Sequence, residues 1–163
     1  MINDHLIQQY DLLPHPEGGY FKETYRSSET IPQQGLNKRF TGDRSYSTAI
    51  YFLLVKDSFS AFHRILSDEC WHFYEGDSLR VHVLHPDGHY ELIRLGRNSK
   101  LGEVYQAMVP AGAWFASETN GEYSFVGCTV APGFDFHDFE LAEAGSLKLT
   151  YPEHAELIQR LCR

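Results

Sequence analysis

His63 and Glu69 stand six residues apart in the segment Ser60-Ala-Phe-His-Arg-Ile-Leu-Ser-Asp-Glu-Cys-Trp-His-Phe-Tyr-Glu-Gly76, with His72 three residues further on. An imidazole titrates near neutrality, and a buried carboxylate can be driven to do so, so these side chains around one cavity could take a proton from a substrate and return one. The same residue types hold a metal when three of them converge on a point. If residues 59–66 form a strand, alternation places Phe59, Ala61, His63 and Ile65 on one face, with Ser60, Phe62 and Arg64 on the other. His63 then has apolar neighbours, where burial lowers its pKa and a nearby Glu69 carboxylate raises it. In a strand over 69–75, Glu69 shares a face with Trp71 and Phe73 and needs a partner there. His72 and Tyr74 point the other way unless a bulge follows Glu69. Trp71, Phe73, Trp114 and Phe115 read either as the aromatic wall of a small-molecule site or as core.

The elements that must hold these groups are short. Leu6, Ile7, Tyr10 and Leu13 fall at helical spacing after Asn3, a candidate N-cap, and Pro14 stops the run. Pro152 opens a second helix with Ala155, Ile158, Leu161 and Cys162 as its apolar stripe. Between them, β-branched and aromatic runs are punctuated by Gly18-Gly19, Pro86-Asp-Gly88, Pro110-Ala-Gly112, Asn120-Gly121 and Pro132-Gly133. This predicts antiparallel strands near 20–26, 46–55, 59–66, 69–75, 79–85, 90–95, 105–109, 113–117, 123–130 and 136–141. Thr48 to Val55 is apolar on both faces, so it belongs between two layers or in an interface. Ser27 to Gly42 is polar and reads as a mobile loop. His15-Pro-Glu17-Gly-Gly-Tyr20 is a tight entry turn before a strand, and Asp135 is turn structure.

The 163 residues carry a formal charge of −8 and suit a single domain spanning 1–163. The acidic balance argues against nucleic acid or an anionic membrane as partner. Cys70, Cys128 and Cys162 lack disulfide or metal spacing, no apolar stretch reaches membrane-spanning length, and the first residues lack a secretory pattern. The expected setting is the cytoplasm.

His63, Glu69, Gly76 and Pro110-x-Gly112 resemble the two motifs of the cupin superfamily. Pro14-His-Pro-Glu-Gly-Gly-Tyr20, Ser60-Ala-Phe-His-Arg, Asp68-Glu-Cys-Trp-His72, Val109-Pro-Ala-Gly-Ala-Trp114 and Gly127-Cys-Thr-Val-Ala-Pro-Gly-Phe-Asp-Phe136 are more specifically similar to the cupin-5 family, a domain of unknown function. The resemblance implies an all-β fold, a cupin jelly-roll barrel with short N- and C-terminal helices. It also implies similarity to metal-independent sugar epimerases, in which a histidine removes a proton and a tyrosine returns one. On that reading His63, Glu69 and His72 are the catalytic set, with His63 as base and the other two orienting it or the substrate. Glu17, Tyr51, Trp71, Phe73 and Trp114 contact the ligand, and Tyr51, Tyr74 and Tyr123 are candidates for the acid. Two family ligand positions are held by Ile65 and Phe115, which cannot coordinate, so neither metal nor other cofactor is expected. Arg26, Arg44, Arg64 and Arg80 are candidates for a rim that would meet phosphate. The expected partners are a small sugar-like or nucleotide-like ligand and a second copy of the chain in a homodimer. A catalytically silent binding cupin and a metal-dependent oxygenase or isomerase are the alternatives.

Overall fold

The computed structural model describes residues 4–163. A short helix, α1 (Asp4–Gln9), leads into β1 (Leu13–Pro14) and β2 (Tyr20–Arg26). The pair β3 (Thr30–Ile31) and β4 (Arg44–Ser45) follows, then β5 (Thr48–Val55), β6 (Phe59–Arg64), β7 (Asp68–Gly76), β8 (Leu79–Leu84) and β9 (Tyr90–Leu95). The chain continues through β10 (Gln106–Val109), β11 (Trp114–Thr119), β12 (Tyr123–Ala131) and β13 (Glu140–Leu141), and closes with α2 (Ala144–Thr150) and α3 (Ala155–Arg160). The strands form a six-stranded sheet, β1-β2-β5-β12-β7-β10, and a five-stranded sheet, β13-β6-β11-β8-β9, as expected of a jelly roll.

Three apolar clusters hold the layers. Phe52, Leu54, Trp71, Val81, Val83, Phe115 and Val126 fill the space between the sheets. Phe62, Leu84, Ala116, Leu147, Tyr151, Ile158 and Leu161 join the outer face of the five-stranded sheet to α2 and α3. Leu6, Leu12, Leu53 and Phe125 pin the N-terminal segment to the outer face of the six-stranded sheet. The two-sided pattern of β5 is thereby explained: Phe52 and Leu54 face the core while Leu53 faces the N-terminal layer. The second apolar face is covered by the chain itself.

Several sequence expectations are corrected. The first helix ends at Gln9, where Asp11 turns at φ 51°, and Leu13 and Pro14 join a strand instead of extending the helix. The candidate cap Asn3 lies outside the described residues. The stretch 136–141 is a 3₁₀ turn over Phe136–Asp138 followed by the two-residue β13, because the Asp135 carboxylate accepts the His137 backbone N–H and turns the chain. Ser27 to Gly42 is pinned by structure: Phe40 is buried, and Arg44 beyond it donates two hydrogen bonds of 2.8 and 2.6 Å to the buried carboxylate of Asp138. Helix α2 was not anticipated.

Two local irregularities position the chemistry. In β6, His63 pairs with Phe115 but Ser60 pairs with Ser117, so three residue steps on β6 match two on β11. This bulge puts Ser60 and His63 on the inner side and sends Phe59 and Phe62 to the outer layer, unlike simple alternation. The other is the turn at Gly18 (φ +110°) and Gly19 (φ +77°), where the Ala61 N–H donates to the Glu17 carbonyl at 2.7 Å. A Cβ on Gly18 would lie 2.1 Å from the Phe59 carbonyl oxygen. Gly112 shares the positive φ (+81°) but has nothing within 4 Å of the added carbon. Gly112→Ala should therefore cost only the backbone penalty of about 1–2 kcal/mol. Gly18→Ala should cost clearly more in urea unfolding, and equal losses would show that the turn does not pack against β6.

Candidate active site

Glu17 and His63, 46 positions apart in sequence, meet inside the barrel. His63 Nε2 lies 2.9 Å from Glu17 Oε2, and its Nδ1 lies 2.7 Å from the Ala61 carbonyl, which the bulge directs at the ring. The carbonyl can only accept, so Nδ1 carries a proton, and a proton on Nε2 as well makes the ring an imidazolium donating to a carboxylate. Both residues are withdrawn from solvent, His63 to 3% and Glu17 to 7% exposure. The Ser60 hydroxyl donates to Glu17 Oε1 at 2.9 Å.

Burial alone would empty His63 of its proton, but the Glu17 carboxylate and the Ala61 carbonyl outweigh it and hold the pKa above its ordinary value. Burial likewise works to protonate Glu17, and the charge and hydrogen bond of His63 with the hydrogen bond of Ser60 outweigh it and hold that carboxyl below its ordinary value. The Glu17 contribution to stability is present above the ordinary carboxylate range and lost on acidification. The His63 contribution is present below 6.5 and lost as pH rises through the raised value. His15 differs: burial pushes its pKa down, and its Nδ1 accepts the Glu17 backbone N–H at 3.2 Å, so this ring is neutral.

Glu69 lines the same cavity, and among the described residues the Cys128 thiol is its side-chain hydrogen-bond partner. Burial and the negative charge of Glu17 push its carboxyl up to about 7, against the opposing pull of His63. Burial and the neighbouring carboxylate push the Cys128 thiol well up, so it is a protonated donor. The cavity encloses about 80 Å³. Its wall includes Phe21, Ile50, Ile65 and Val130, and Phe134, Phe136 and Phe139 come from the segment that Asp138 anchors to Arg44.

Other sequence candidates lie elsewhere. His72 faces outward on β7, 2.8 Å from Thr129 Oγ1 and 3.0 Å from Gln106 Nε2, because β7 pairs with β12 without interruption from Asp68 to Phe73. The irregularity comes only after Phe73, too late to turn His72 inward. Tyr51, Tyr74 and Tyr123 are outside the cavity wall: Tyr51 contacts Tyr10 and Tyr74, and the Tyr123 hydroxyl donates to Glu75. Trp114 packs with the C-terminal layer beneath the Arg64 guanidinium. Trp71 and Phe73 have the expected facing but lie in the core, with Trp71 edge-on to Phe52 and Phe115. His15, Phe21, Cys128 and the phenylalanines of 134–139 were not singled out for the pocket. The spacing Phe134-x-Phe136-x-x-Phe139 in a polar turn was the available signal.

With this geometry, residues 4–142 match the family described as Cupin superfamily (DUF985). The chain belongs to this cupin family. It is 35% identical to an uncharacterized protein of Saccharomyces cerevisiae, over 92% of this chain and 81% of the yeast protein. A hypothetical protein from Leishmania major superposes with TM-score 0.88 at 35% identity, covering 98% of this chain and 97% of its own. A protein from Shewanella oneidensis does so with TM-score 0.88 at 37% identity, covering 98% and 96%. Oxalate decarboxylase from Bacillus subtilis shares the fold at 14% identity and TM-score 0.56, over 91% of this cupin and 36% of the decarboxylase chain.

Many cupins hold a metal at the barrel mouth, and this donor set does not fit one. Both His63 nitrogens are engaged, Ile65 adds hydrocarbon to the wall, and Phe115 packs 4.1 Å from the His63 ring. Among the described residues, no three ligating side chains converge at the cavity.

The Glu69 value sets a pH signature. The folded chain keeps this proton between the ordinary 4.5 and about 7, where the unfolded chain has lost it. Its stabilising contribution is therefore present below 4.5 and lost as pH rises through about 7. Glu69→Gln, which cannot ionise, should gain stability relative to wild type between pH 4.5 and 8, by at most about 3 kcal/mol in urea unfolding. Parallel pH profiles for the two proteins would contradict the assignment.

Proposed function

We propose that this cupin catalyses a metal-independent proton transfer on a small carbonyl metabolite, an isomerase or epimerase-like reaction on a sugar-derived or related compound. The observation that carries the reading is the buried carboxyl of Glu69 in the cavity wall beside the His63–Glu17 pair, where burial pushes it up to about 7. Glu69 as carboxylate takes the proton from the carbon next to the carbonyl. The His63 imidazolium, with its two N–H groups held by Glu17 and the Ala61 carbonyl, stabilises the oxyanion that develops through its positive charge. Return of the proton from Glu69 to the former carbonyl carbon, with the neighbouring hydroxyl's proton passing to the oxyanion, completes an isomerisation; return to the original carbon regenerates the substrate, and delivery to its opposite face would need the substrate to turn. These roles differ from those expected from sequence, because a base needs a free lone pair and both His63 nitrogens are engaged.

The cavity also bears on substrate class. At about 80 Å³ it is roughly half the size of an apolar cavity that accepts benzene, so it encloses a few heavy atoms. Among the described residues Arg26 is the one Arg or Lys in its wall, and Glu23 pairs with it at 2.6 Å. Arg44, Arg64 and Arg80 are paired with Asp138, Glu140 and Glu118. This charge pattern favours a small neutral compound over a nucleotide diphosphate. The aromatic wall equally supports the second reading, a cupin that binds such a compound without turnover.

The test is solvent deuterium uptake by a panel of short hydroxycarbonyl compounds, followed by proton NMR. The reading predicts uptake that rises with pH through about 7 and falls on the order of 10²-fold or more in Glu69→Gln. Uptake unaffected by that change would refute the role of Glu69, and a compound that binds without exchange would establish the silent cupin.

A further inference from the structure

A second cluster of chemically capable side chains lies outside the cavity wall, on the hairpin joining β8 to β9. The turn His85-Pro86-Asp87-Gly88-His89 is closed by the His85 N–H on the His89 carbonyl at 3.0 Å and the Gly88 N–H on the His85 carbonyl at 2.9 Å. Gly88 supplies the positive φ, +97°, that such a tight connection needs. The hairpin sets His85 directly across from His89, and their rings stack with centroids 3.9 Å apart and planes 9° from parallel, so both must tilt out of the stack for their in-plane lone pairs to meet at one point. Glu91, two residues along β9, returns to the same face with Oε2 2.8 Å from His85 Nε2. One ligating atom from each of His85, His89 and Glu91 falls within 4.8 Å of the others.

We propose that His85, His89 and Glu91 form a binding site for a divalent transition-metal ion of the zinc, nickel or copper class. Two imidazoles with one carboxylate suit these ions, whereas magnesium and calcium prefer sites made of oxygen. Three protein donors leave a fourth position for water, a coordination number that zinc accepts. Ligand atoms about 2.0–2.2 Å from a common ion lie roughly 3.3 Å from one another, so donors already inside 4.8 Å reach it by side-chain rotations that unstack the two rings. The hairpin backbone fixes their starting positions. His89 and Glu91 are about half exposed, which lets the ion enter and the rings adjust. Asp87 Oδ1 lies 2.5 Å from His89 Nδ1, so the carboxylate accepts the Nδ1–H and leaves Nε2 with its lone pair. A carboxylate behind a ligating imidazole orients the ring and raises its basicity. The His85 carbonyl also accepts the Tyr151 hydroxyl at 2.9 Å, so an ion here would tie the hairpin to the C-terminal layer.

The experiment is calorimetric titration of chelator-treated, full-length protein with zinc chloride, repeated with nickel chloride. Wild type and His5→Ala, whose site lies exposed on α1, should bind one ion per chain with equal affinity. His85→Ala and His89→Ala should each weaken binding about tenfold or more, and Asp87→Asn by a comparable factor without abolishing it. A nitrogen-15 imidazole spectrum of wild type guards against variants that fold poorly: zinc should move the His85 and His89 signals and leave His5 and His137 in place. Absence of one-to-one binding below about 1 mM zinc, an unchanged affinity in the His85→Ala/His89→Ala double variant, or zinc-induced shifts at other histidines would overturn the proposal.

Discussion

The site depends on a buried ion pair. An imidazolium and a carboxylate withdrawn from water each lose several kcal/mol of hydration, and only good geometry with additional hydrogen bonds restores it. The structure supplies both. The bulge in β6 gives His63 the Ala61 carbonyl for its second nitrogen, and Ser60 donates to the other oxygen of Glu17. The turn at Gly18 and Gly19 brings Glu17 within reach by pressing its backbone against β6. Removing Glu17 alone would leave a buried cation without its counter-charge, so the turn, the bulge and the pair stand or fall together.

The same pair sets the behaviour of Glu69. A second carboxylate beside Glu17 meets both desolvation and like charge, and the His63 imidazolium offsets only part of this. The result is two carboxyl groups in one cavity with separate tasks: Glu17 stays ionised and holds the imidazolium, while Glu69 is free to exchange a proton near neutrality. The apolar wall from Phe21, Phe134, Phe136 and Phe139 limits water there and strengthens every electrostatic term. Arg44, remote in sequence, contributes by anchoring the aromatic segment through Asp138.

Much of the fold was legible in the chain, because turn residues punctuate period-two apolar runs and those signals are local. His63 and Glu69 were legible too, as polar groups that strand alternation sends to an apolar face, and Glu17 through the family resemblance of its turn. Their pairing was not. It depends on one extra residue in β6, which no alternation pattern reveals, and which also moved Phe59 to the outer layer. His72, Tyr51 and Trp114 illustrate the other failure: residue type suggested a pocket, but facing is decided by registers fixed across long sequence separations. Helix α2 escaped because Ala144 to Thr150 is short and weakly patterned, and its helix rests on the Glu143 cap and on Leu147 buried against the sheet.

The most direct measurement of the central claim is the protonation state of His63 by nitrogen-15 NMR of the wild-type protein at pH 7, with the ring assigned from His63→Gln. The account predicts that both ring nitrogens carry protons and that the imidazolium persists above pH 6.5, stabilised by Glu17. A neutral ring at pH 7, with one nitrogen unprotonated, would contradict it.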